Sequence, residues 1–298
     1  MHSKKRVLFI INPKSGIRKR EKASLPALIE KYLNNTIYDY SISYTQYAGH
    51  AIELSKEAVE NGYHVIVSVG GDGSINEIAG SLVGTDVVLG IMPFGSGNGL
   101  ARHLDIPVHA KKALNVLNRF HIRKIDVGEY APGKFFFSNV GIGFAVKVVK
   151  WFEHHRVRGF LSYAVAVVRG FTTNQPIKIT LQINGQTLER EVTVLNICNS
   201  NQYGYGVGIT PNAKLDDGIL DVAILNKFSR WLFPLYALFI LTRKQHWIPH
   251  YELYSSTTCK VINEEKKFWV LQVDGELSRF KEDWNVRVIP SGISILAP

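Results

Sequence analysis

The strongest constraint on the fold is an alternation of short apolar runs and helical patterns through the first 125 residues. Strands that alternate with helices form βαβ units, whose parallel strands are buried on both faces. The sequence therefore predicts an α/β domain with a mainly parallel sheet over residues 1–125. The predicted strands are 7–11, 37–45, 65–69 and 87–92, and the predicted helices are 19–33, 51–61, 75–82, 99–104 and 110–120.

The second half of the chain changes to a period of two. Isoleucine and leucine alternate with polar residues over 177–183, and Asn184-Gly185 follows, which predicts a hairpin with a type I′ turn. Further strands are predicted at 192–198, 219–225, 268–273 and 286–296. We expect an antiparallel β-sandwich or barrel over residues 126–298, whose last segment is free to return to the first domain.

Composition excludes several classes of protein. The chain carries a formal charge of +10, which suits nucleic acid, anionic lipid headgroups or phosphorylated ligands without choosing among them. Two cysteines cannot build a disulfide framework or a cysteine-rich zinc site. The longest apolar stretch, 231–241, contains Pro234 and falls short of the roughly 20 residues of a membrane span. No signal peptide is predicted, so we expect a soluble protein of a reducing compartment.

Three glycine-rich turns, at 12–16, 70–74 and 93–99, directly follow predicted strands. Glycine lets backbone N–H groups face phosphate oxygens, and a helix N-terminus behind such a turn favours an anion. Ser74 and Glu77 also predict a capping box that opens the next helix. One such turn occurs for geometry alone, but three at successive strand ends predict a nucleotide-phosphate site. Neither standard phosphate motif is complete.

The ordered turns Asn-Pro-Lys-Ser-Gly, Gly-Gly-Asp-Gly-Ser-Ile-Asn-Glu and Gly-Ser-Gly-Asn resemble the diacylglycerol kinase catalytic-domain family. The resemblance extends to Gly-His-Ala at 49–51, Ala-Lys-Leu-Asp-Asp-Gly at 213–218 and Asp-Gly-Glu at 274–276, so it covers nearly the whole chain. It implies a phosphofructokinase-like α/β domain followed by a β-sandwich domain. It also implies an ATP-dependent lipid kinase that uses Mg²⁺.

By this resemblance, residues of the three turns and Thr45 surround ATP, and Asp72 faces the phosphates or their Mg²⁺. The expected nucleotide-site residues are Asn12, Pro13, Lys14, Ser15, Gly16, Thr45, Gly70, Gly71, Asp72, Gly73, Ser74, Asn76, Glu77, Ser96, Gly97 and Asn98.

The resemblance also implies a second metal site, at the turn that contains Asp216 and Asp217. Asp217 would bind Mg²⁺ together with the carbonyl oxygens of Lys214 and Ile219, an oxygen-only set that suits a hard cation. Without the family, a plain turn before a strand is the simpler interpretation.

A lipid hydroxyl must lose its proton as it attacks phosphorus, and a carboxylate can accept that proton. The family pattern makes Glu276 the leading general base. Asp274 would orient Glu276 or bind metal, and Asp72 is the alternative base. A plain hairpin turn at Asp274-Gly275 remains the competing interpretation.

Two segments bear on contact with a membrane. Cations and aromatic residues cluster over 147–158, which indicates either a solvated helical face or a patch that contacts anionic lipid. The apolar run 231–241, flanked by Arg230, Arg243 and Lys244, is more typical of a buried helix packed on a sheet, although it could line the entrance for an acyl chain. We expect a cytoplasmic protein that attaches peripherally to an anionic membrane surface.

Alternatives to a lipid kinase remain open at this point. An NAD kinase has a related fold with a Gly-Gly-Asp-Gly turn, but the Asn-Pro-Lys-Ser-Gly turn and the Asp-Gly-Glu sequence favour a lipid kinase. A non-catalytic lipid-binding protein would not require the complete set of polar site residues. No helix-turn-helix or aromatic RNA-binding signature occurs, so no nucleic acid partner is expected. A homodimer is possible, and the sequence does not identify the lipid.

Overall fold

The computed structural model describes residues 4–16, 19–154, 160–202, 208–264 and 268–298. The chain divides into two compact units, Met1–Ile125 with Ser291–Pro298, and Asp126–Pro290. The chain therefore returns to the first unit for its last residues.

The first unit contains a parallel sheet with helices between its strands. Its elements are β1 (Lys5–Ile11), α1 (Lys19–Ala23), α2 (Leu25–Tyr32), β2 (Tyr38–Tyr44), α3 (His50–Glu60), β3 (Val65–Gly70), α4 (Asp72–Leu82), β4 (Val88–Pro93), α5 (Gly99–His103) and α6 (Ala110–Arg119). The strand order is β2-β1-β3-β4, and Ser294 and Ile295 near the C-terminus pair in parallel with β4. Every residue of β3 and β4 is buried, as parallel strands covered on both faces require.

The helix predicted over residues 19–33 is interrupted at Ser24 and forms α1 and α2 instead. Pro26 lies in the first turn of α2, where its missing N–H costs nothing. A proline in the middle of one continuous helix would remove a backbone hydrogen bond and clash with the preceding turn. The prediction of a single helix is therefore wrong at this point.

The second unit is built mainly from antiparallel strands. Its elements are β5 (Ile122–Ala131), which begins in the first unit, β6 (Lys134–Phe136), β7 (Asn139–Gly143), α7 (Phe144–His154), α8 (Phe160–Thr173), β8 (Ile177–Ile183), β9 (Gln186–Cys198), β10 (Leu220–Asn226), α9 (Phe233–Leu241), β11 (Tyr251–Ser256), β12 (Thr258–Ile262), β13 (Trp269–Val273), β14 (Glu276–Phe280) and β15 (Trp284–Leu296), which ends in the first unit. The pairing order is β14-β13-β7-β9-β8-β12-β15, and β10 pairs with both β9 and β11.

The predicted hairpin at Asn184-Gly185 is confirmed. Both residues have positive φ, 50° and 74°, and Ile183 pairs with Gln186 across the turn. These angles belong to a type I′ turn, whose twist matches that of the flanking strands. The inward residues of this hairpin join a core that also contains Phe136, Val222 and Trp284.

The apolar run 231–241 begins with a 3₁₀ turn, Arg230–Leu232, and continues as α9. Tyr236 is buried, but Trp231, Leu235 and Leu238 are exposed. The interpretation of this run as a buried helix is therefore wrong for one of its faces. Over the part of the chain that the structure describes, no helix has both the length and the apolarity that crossing a membrane requires.

Glu252 of β11 connects three neighbouring strands of the second unit. Its carboxylate accepts two hydrogen bonds from the Arg190 guanidinium of β9, at 2.9 and 3.2 Å, and others from Asn226 and Tyr254. Partial burial works to raise the pKa of Glu252, but these donors, Arg190 first, outweigh it and lower the pKa to about 2.

We predict that Glu252 makes the second unit sensitive to acid. A free glutamate has a pKa of about 4.3, so the ionised Glu252 stabilises the fold fully above that pH and loses this effect as pH falls towards 2. Glu252→Gln should therefore lower stability at pH 6 and show a smaller further loss between pH 5 and pH 2 than wild type. Urea unfolding midpoints across this range measure the effect, with exposed Glu189→Gln as the matched control. Equal pH slopes in wild type and Glu252→Gln would contradict the assignment.

Candidate active site

The three glycine-rich turns meet in the first unit, where β1, β3 and β4 end side by side. The Asn12 amide Nδ2 donates to Ser74 Oγ at 3.1 Å, which joins the first turn to the second. The Phe94 N–H donates to the Gly70 carbonyl oxygen at 2.7 Å, which joins the third turn to the second. The structure thus brings together residues that lie as many as 62 positions apart in the sequence.

Glycine is required where these turns touch. Gly16 has a φ of 70°, and a Cβ on it would lie 1.6 Å from the Phe94 carbonyl oxygen. A Cβ on Gly95 would lie 2.5 Å from the Gly71 Cα. The backbones are therefore in direct contact at these points and leave no room for side chains.

The third turn is closed by its own asparagine. Asn98 is buried with a φ of 50°, and its side-chain amide both donates to the Gly95 carbonyl oxygen and accepts from the Gly95 N–H, at 2.9 Å each. Ser96 Oγ is buried and has no hydrogen-bond partner among the residues that the structure describes. A buried hydroxyl in this position fits a ligand that offers an acceptor oxygen, such as a phosphate.

Lys22 of α1 supports the first turn from below. It is buried, and its ammonium donates to the carbonyl oxygens of Asn12 and Ser15, at 2.7 and 2.5 Å, and to Ser15 Oγ at 2.8 Å. These charge-assisted bonds fix the shape of the turn and add a positive charge next to it. Sequence reasoning missed Lys22, because nothing distinguishes it from its neighbours in the charged run 18–22.

The predicted capping box of Ser74 and Glu77 is wrong. Helix α4 begins earlier, at Asp72, and its first helical hydrogen bond runs from the Ile75 N–H to the Gly71 carbonyl oxygen. Ser74 therefore lies inside the helix, and its hydroxyl accepts from Asn12. The Glu77 carboxylate accepts from the Gly49 N–H at 3.2 Å, so it holds the loop after β2 rather than its own helix end.

Asp72 places a carboxylate at the start of α4. A Cβ on Gly97 would lie 3.1 Å from Asp72 Oδ2, so the carboxylate lies against the third turn. A phosphate bound at these turns would be repelled by this carboxylate unless a cation lay between them. The Asp72 carboxylate therefore fits as one ligand of a Mg²⁺ ion whose other ligands are phosphate oxygens and water.

The structure places the predicted nucleotide-site residues as follows. Thr45 directly follows β2, and its N–H donates to the Ile11 carbonyl oxygen at 2.9 Å. Asn76 lies within α4. The remaining ones lie in or directly beside the three turns: Asn12, Pro13, Lys14, Ser15, Gly16, Gly70, Gly71, Asp72, Gly73, Ser74, Ser96, Gly97 and Asn98.

Asp274 and Glu276 share the turn between β13 and β14. Asp274 is buried, and its two carboxylate oxygens accept the N–H groups of Phe137, Ser138 and Asn139 at 2.8–2.9 Å. Its own N–H donates to the Asn139 carbonyl oxygen. Glu276 is exposed at the start of β14. This geometry suits Asp274 for positioning the turn and leaves Glu276 as the carboxylate that faces solvent.

The predicted metal loop is held by a residue that the sequence analysis did not identify. Asp126 is buried, its carboxylate accepts the Gly218 N–H at 2.6 Å, and its N–H donates to the Leu215 carbonyl oxygen at 2.6 Å. Asp217 is exposed, and its Oδ1 accepts the Ile219 N–H at 3.2 Å. Burial raises the pKa of the nearby Asp221, and the charge of Asp217 adds to this effect, against the hydrogen bond that Ser255 donates.

The loop that contains Asp216 and Asp217 offers few side chains that could bind a metal ion. Asp216, Asp217 and Lys214 are all exposed, and the described residues contain no group of three or more His, Cys, Asp or Glu side chains that could hold a metal ion. The loop therefore fits a cation only through one or two carboxylates and backbone carbonyls, with water as the other ligands, which is a common arrangement for Mg²⁺.

The second unit also contains an apolar cavity of about 260 Å³. Side chains of α7, α8 and α9 cover it, and strands β9 and β10 form its floor. Its aromatic lining includes Phe144, Phe171, Phe228, Phe233 and Tyr236. Periodicity cannot reveal such a cavity, because each lining residue reads as ordinary core.

Of the cationic and aromatic cluster predicted over 147–158, residues 147–154 lie in α7, and residues 155–158 lie outside the described residues.

Two models of known protein families match successive parts of the chain. Residues 6–130 match the diacylglycerol kinase catalytic domain, and residues 138–297 match the YegS C-terminal NAD kinase beta sandwich-like domain. The chain thus consists of two family domains: residues 6–130 belong to the diacylglycerol kinase catalytic-domain family, and residues 138–297 belong to the family of YegS C-terminal NAD kinase beta sandwich-like domains.

Individual relatives cover almost the whole chain. It is 29% identical over 278 residues to a diacylglycerol kinase of Bacillus subtilis, which covers 91% of this chain and 90% of the relative. It is 26% identical to a diacylglycerol kinase of Staphylococcus carnosus, over 92% of this chain and 89% of the relative. A crystal structure of a diacylglycerol kinase from Bacillus anthracis has the same fold, with a TM-score of 0.79 at 22% identity over 100% of this chain and 99% of that one.

We predict that Asp274 contributes to the stability of the fold and that Glu276 does not. Asp274→Asn replaces one acceptor oxygen by a donor that faces the backbone N–H groups of residues 137–139. It should lower the free energy of unfolding by about 1.5–3 kcal/mol, the range for hydrogen bonds to charged groups. Glu276→Gln should stay within about 0.5 kcal/mol of wild type, as exposed substitutions do. Urea denaturation of both variants checks this, and equal effects would refute the distinction.

Proposed function

We propose that the protein transfers the γ-phosphoryl group of ATP to the hydroxyl group of a lipid, with diacylglycerol as the first candidate. The observation that carries this proposal is the meeting of three glycine-rich turns, with Lys22 beneath them, in a chain whose residues 6–130 belong to the diacylglycerol kinase catalytic-domain family. Curated relatives named diacylglycerol kinase suggest the acceptor.

The three turns suit the phosphates of ATP. Backbones packed against one another leave no room for side chains at these glycines, and the start of α4 adds backbone N–H groups and the positive end of a helix. Ser96 Oγ offers a buried donor, and the Lys22 ammonium raises the local potential. Binding and orientation of the phosphates are the main contributions that a protein makes to phosphoryl transfer.

Asp72 is the residue that we propose holds Mg²⁺ at the nucleotide. When bound, Mg²⁺ neutralises charge that develops on the transferred phosphoryl group. We propose separately that Asp217, with the carbonyl oxygens of Lys214 and Ile219, holds a second Mg²⁺ of structural importance, with Asp216 beside it.

The apolar cavity of the second unit suits part of an acyl chain. Its volume of about 260 Å³ is below the roughly 300–1,000 Å³ of pockets that enclose whole drug-sized ligands. A long chain would therefore be only partly enclosed. Thr193 and Tyr236 contribute the side-chain hydroxyl groups of this otherwise apolar lining. We therefore propose that the choice of lipid headgroup depends mainly on residues outside the cavity.

Glu276 is the residue that we propose accepts the proton of the lipid hydroxyl. It is exposed on the rigid turn that Asp274 ties to residues 137–139. The turn fixes the backbone from which the Glu276 side chain extends, which places its carboxylate within a limited volume and favours general base catalysis. The buried Asp274 has its oxygens occupied by backbone N–H groups and acts as the positioning residue.

A second candidate activity is phosphorylation of NAD. The match of residues 138–297 to an NAD kinase beta sandwich-like domain is the specific observation in its favour. The apolar lining of the cavity favours a lipid over a dinucleotide.

We predict label in a lipid when the protein is incubated with γ-labelled ATP, Mg²⁺ and candidate lipids in mixed micelles. Glu276→Gln should remove most of the turnover, about 100-fold or more, because general base catalysis contributes 10²–10⁴-fold, while ATP binding stays unchanged. Glu282→Gln, another exposed carboxylate of the same unit, is the control. NAD goes in a parallel reaction. Label only in NADP would move the protein to the NAD kinases, and full turnover in Glu276→Gln would remove that residue from the base role.

We predict that Lys22→Met weakens ATP binding at least about tenfold. The variant leaves the carbonyl oxygens of Asn12 and Ser15 without their charged donor and removes the positive charge beneath the turn. Calorimetric titration with a non-hydrolysable ATP analogue measures the change. Exposed Lys112→Met should bind as wild type does. Equal affinity in Lys22→Met, with an intact fold by circular dichroism, would exclude this role.

A further inference from the structure

Helix α9 and the 3₁₀ turn before it present an exposed apolar face. Trp231 of the turn and Leu235 and Leu238 of the helix are spaced four and three residues apart, and they are 92%, 44% and 54% exposed. We call these three residues the outer face. Apolar side chains that are exposed singly are ordinary, but a run of them along one helix face marks a site of interaction.

The opposite face of α9 is apolar as well. The α9 residues that line the cavity of the second unit are Phe233, Tyr236, Ala237, Ile240 and Leu241. A helix that is apolar all round belongs in a protein core or in lipid, yet one side of α9 has neither. Its nine residues extend only about 13 Å, far short of a membrane span. A helix of this length can lie along a membrane surface.

The charges around α9 identify the partner that this face suits. Residues 227–250 contain four lysines or arginines and no aspartate or glutamate. The cations flank the helix, with Arg230 before it and Arg243 and Lys244 after it. Cations at both ends of an apolar helix are complementary to anionic lipid headgroups.

Two tryptophans lie at the ends of the same segment. Trp231 precedes α9, and the exposed Trp247 follows it, with the Lys244 ammonium 4.4 Å from the centre of its ring. Tryptophan favours the boundary between headgroups and acyl chains. A second copy of this chain on the same face would, in a symmetric pair, bring the flanking cations close to their own equivalents. The arrangement therefore favours a membrane over self-association.

We propose that the outer face of α9 inserts into the surface of an anionic bilayer, with Arg230, Arg243 and Lys244 on its headgroups. The apolar cavity then lies behind the helix that contacts the lipid. The role of this membrane contact in lipid phosphorylation rests on the proposed kinase function. Binding to vesicles can be measured without any turnover.

The test is sedimentation of the full chain with phosphatidylcholine vesicles, with and without phosphatidylglycerol. Wild type should bind the anionic vesicles more tightly, and Leu235→Gln/Leu238→Gln should reduce that binding about tenfold or more. Leu253→Gln, which changes a leucine of 43% exposure in β11, is the matched control and should bind as wild type. Arg243→Gln/Lys244→Gln should remove most of the preference for phosphatidylglycerol and of the salt dependence.

Equal vesicle binding by wild type and Leu235→Gln/Leu238→Gln would overturn the proposal. A second result would also overturn it: a wild-type dimer, seen by light scattering without vesicles, that Leu235→Gln/Leu238→Gln dissociates. The outer face would then bind a second copy of the chain.

Turnover with a short-chain diacylglycerol dissolved as monomers separates the proposed membrane contact from the proposed kinase function. A variant that keeps this turnover and loses turnover on vesicles supports the surface. No turnover by wild type on either substrate would overturn the kinase function, while vesicle binding lost in the variant would still support the surface.

Discussion

Direct contact between backbones at the ends of β1, β3 and β4 is the constraint on which the first unit depends. Gly16 against the Phe94 carbonyl, and Gly71 against Gly95, leave no space for a side chain. Parallel strands bring their carboxyl ends to one edge of the sheet, and the glycines allow the three following turns to come together there. The three turns therefore pack backbone against backbone, and Gly71, the residue before α4, takes part in that contact.

Charge makes the site at these turns selective. Lys22 is buried under the first turn, where three oxygen atoms of Asn12 and Ser15 stabilise its ammonium. Asp72 contributes the opposite charge beside the third turn. An anion alone would be attracted by the first and repelled by the second, whereas an anion that carries its own cation satisfies both. This pair of charges is the electrostatic pattern expected for a nucleotide bound with a divalent metal.

Local sequence was sufficient for the features that depend on local chemistry. The alternation of apolar and polar residues predicted the two kinds of sheet, and Asn184-Gly185 predicted a hairpin that the structure confirms. The predictions were wrong or incomplete where hydrogen bonds to residues far away in the sequence determine the role of a side chain. Glu77 binds Gly49 instead of capping its own helix, and Asp274 and Asp126 use buried carboxylates to hold segments far away in the sequence. No periodicity records such hydrogen bonds, and the same limit hid Lys22.

For helix α9, the sequence predicted an apolar helix but did not predict which of its side chains are exposed to solvent. An apolar run of this kind stabilises a protein when it is buried, and sequence alone assigns it to the core. Here one face does cover a cavity, and the other leaves leucine and tryptophan side chains in water. Exposed leucines contribute nothing to folding that smaller or polar residues would not. Folding alone therefore does not account for this face, whereas the lipid contact that we propose would account for the leucines, the tryptophans and the cations together.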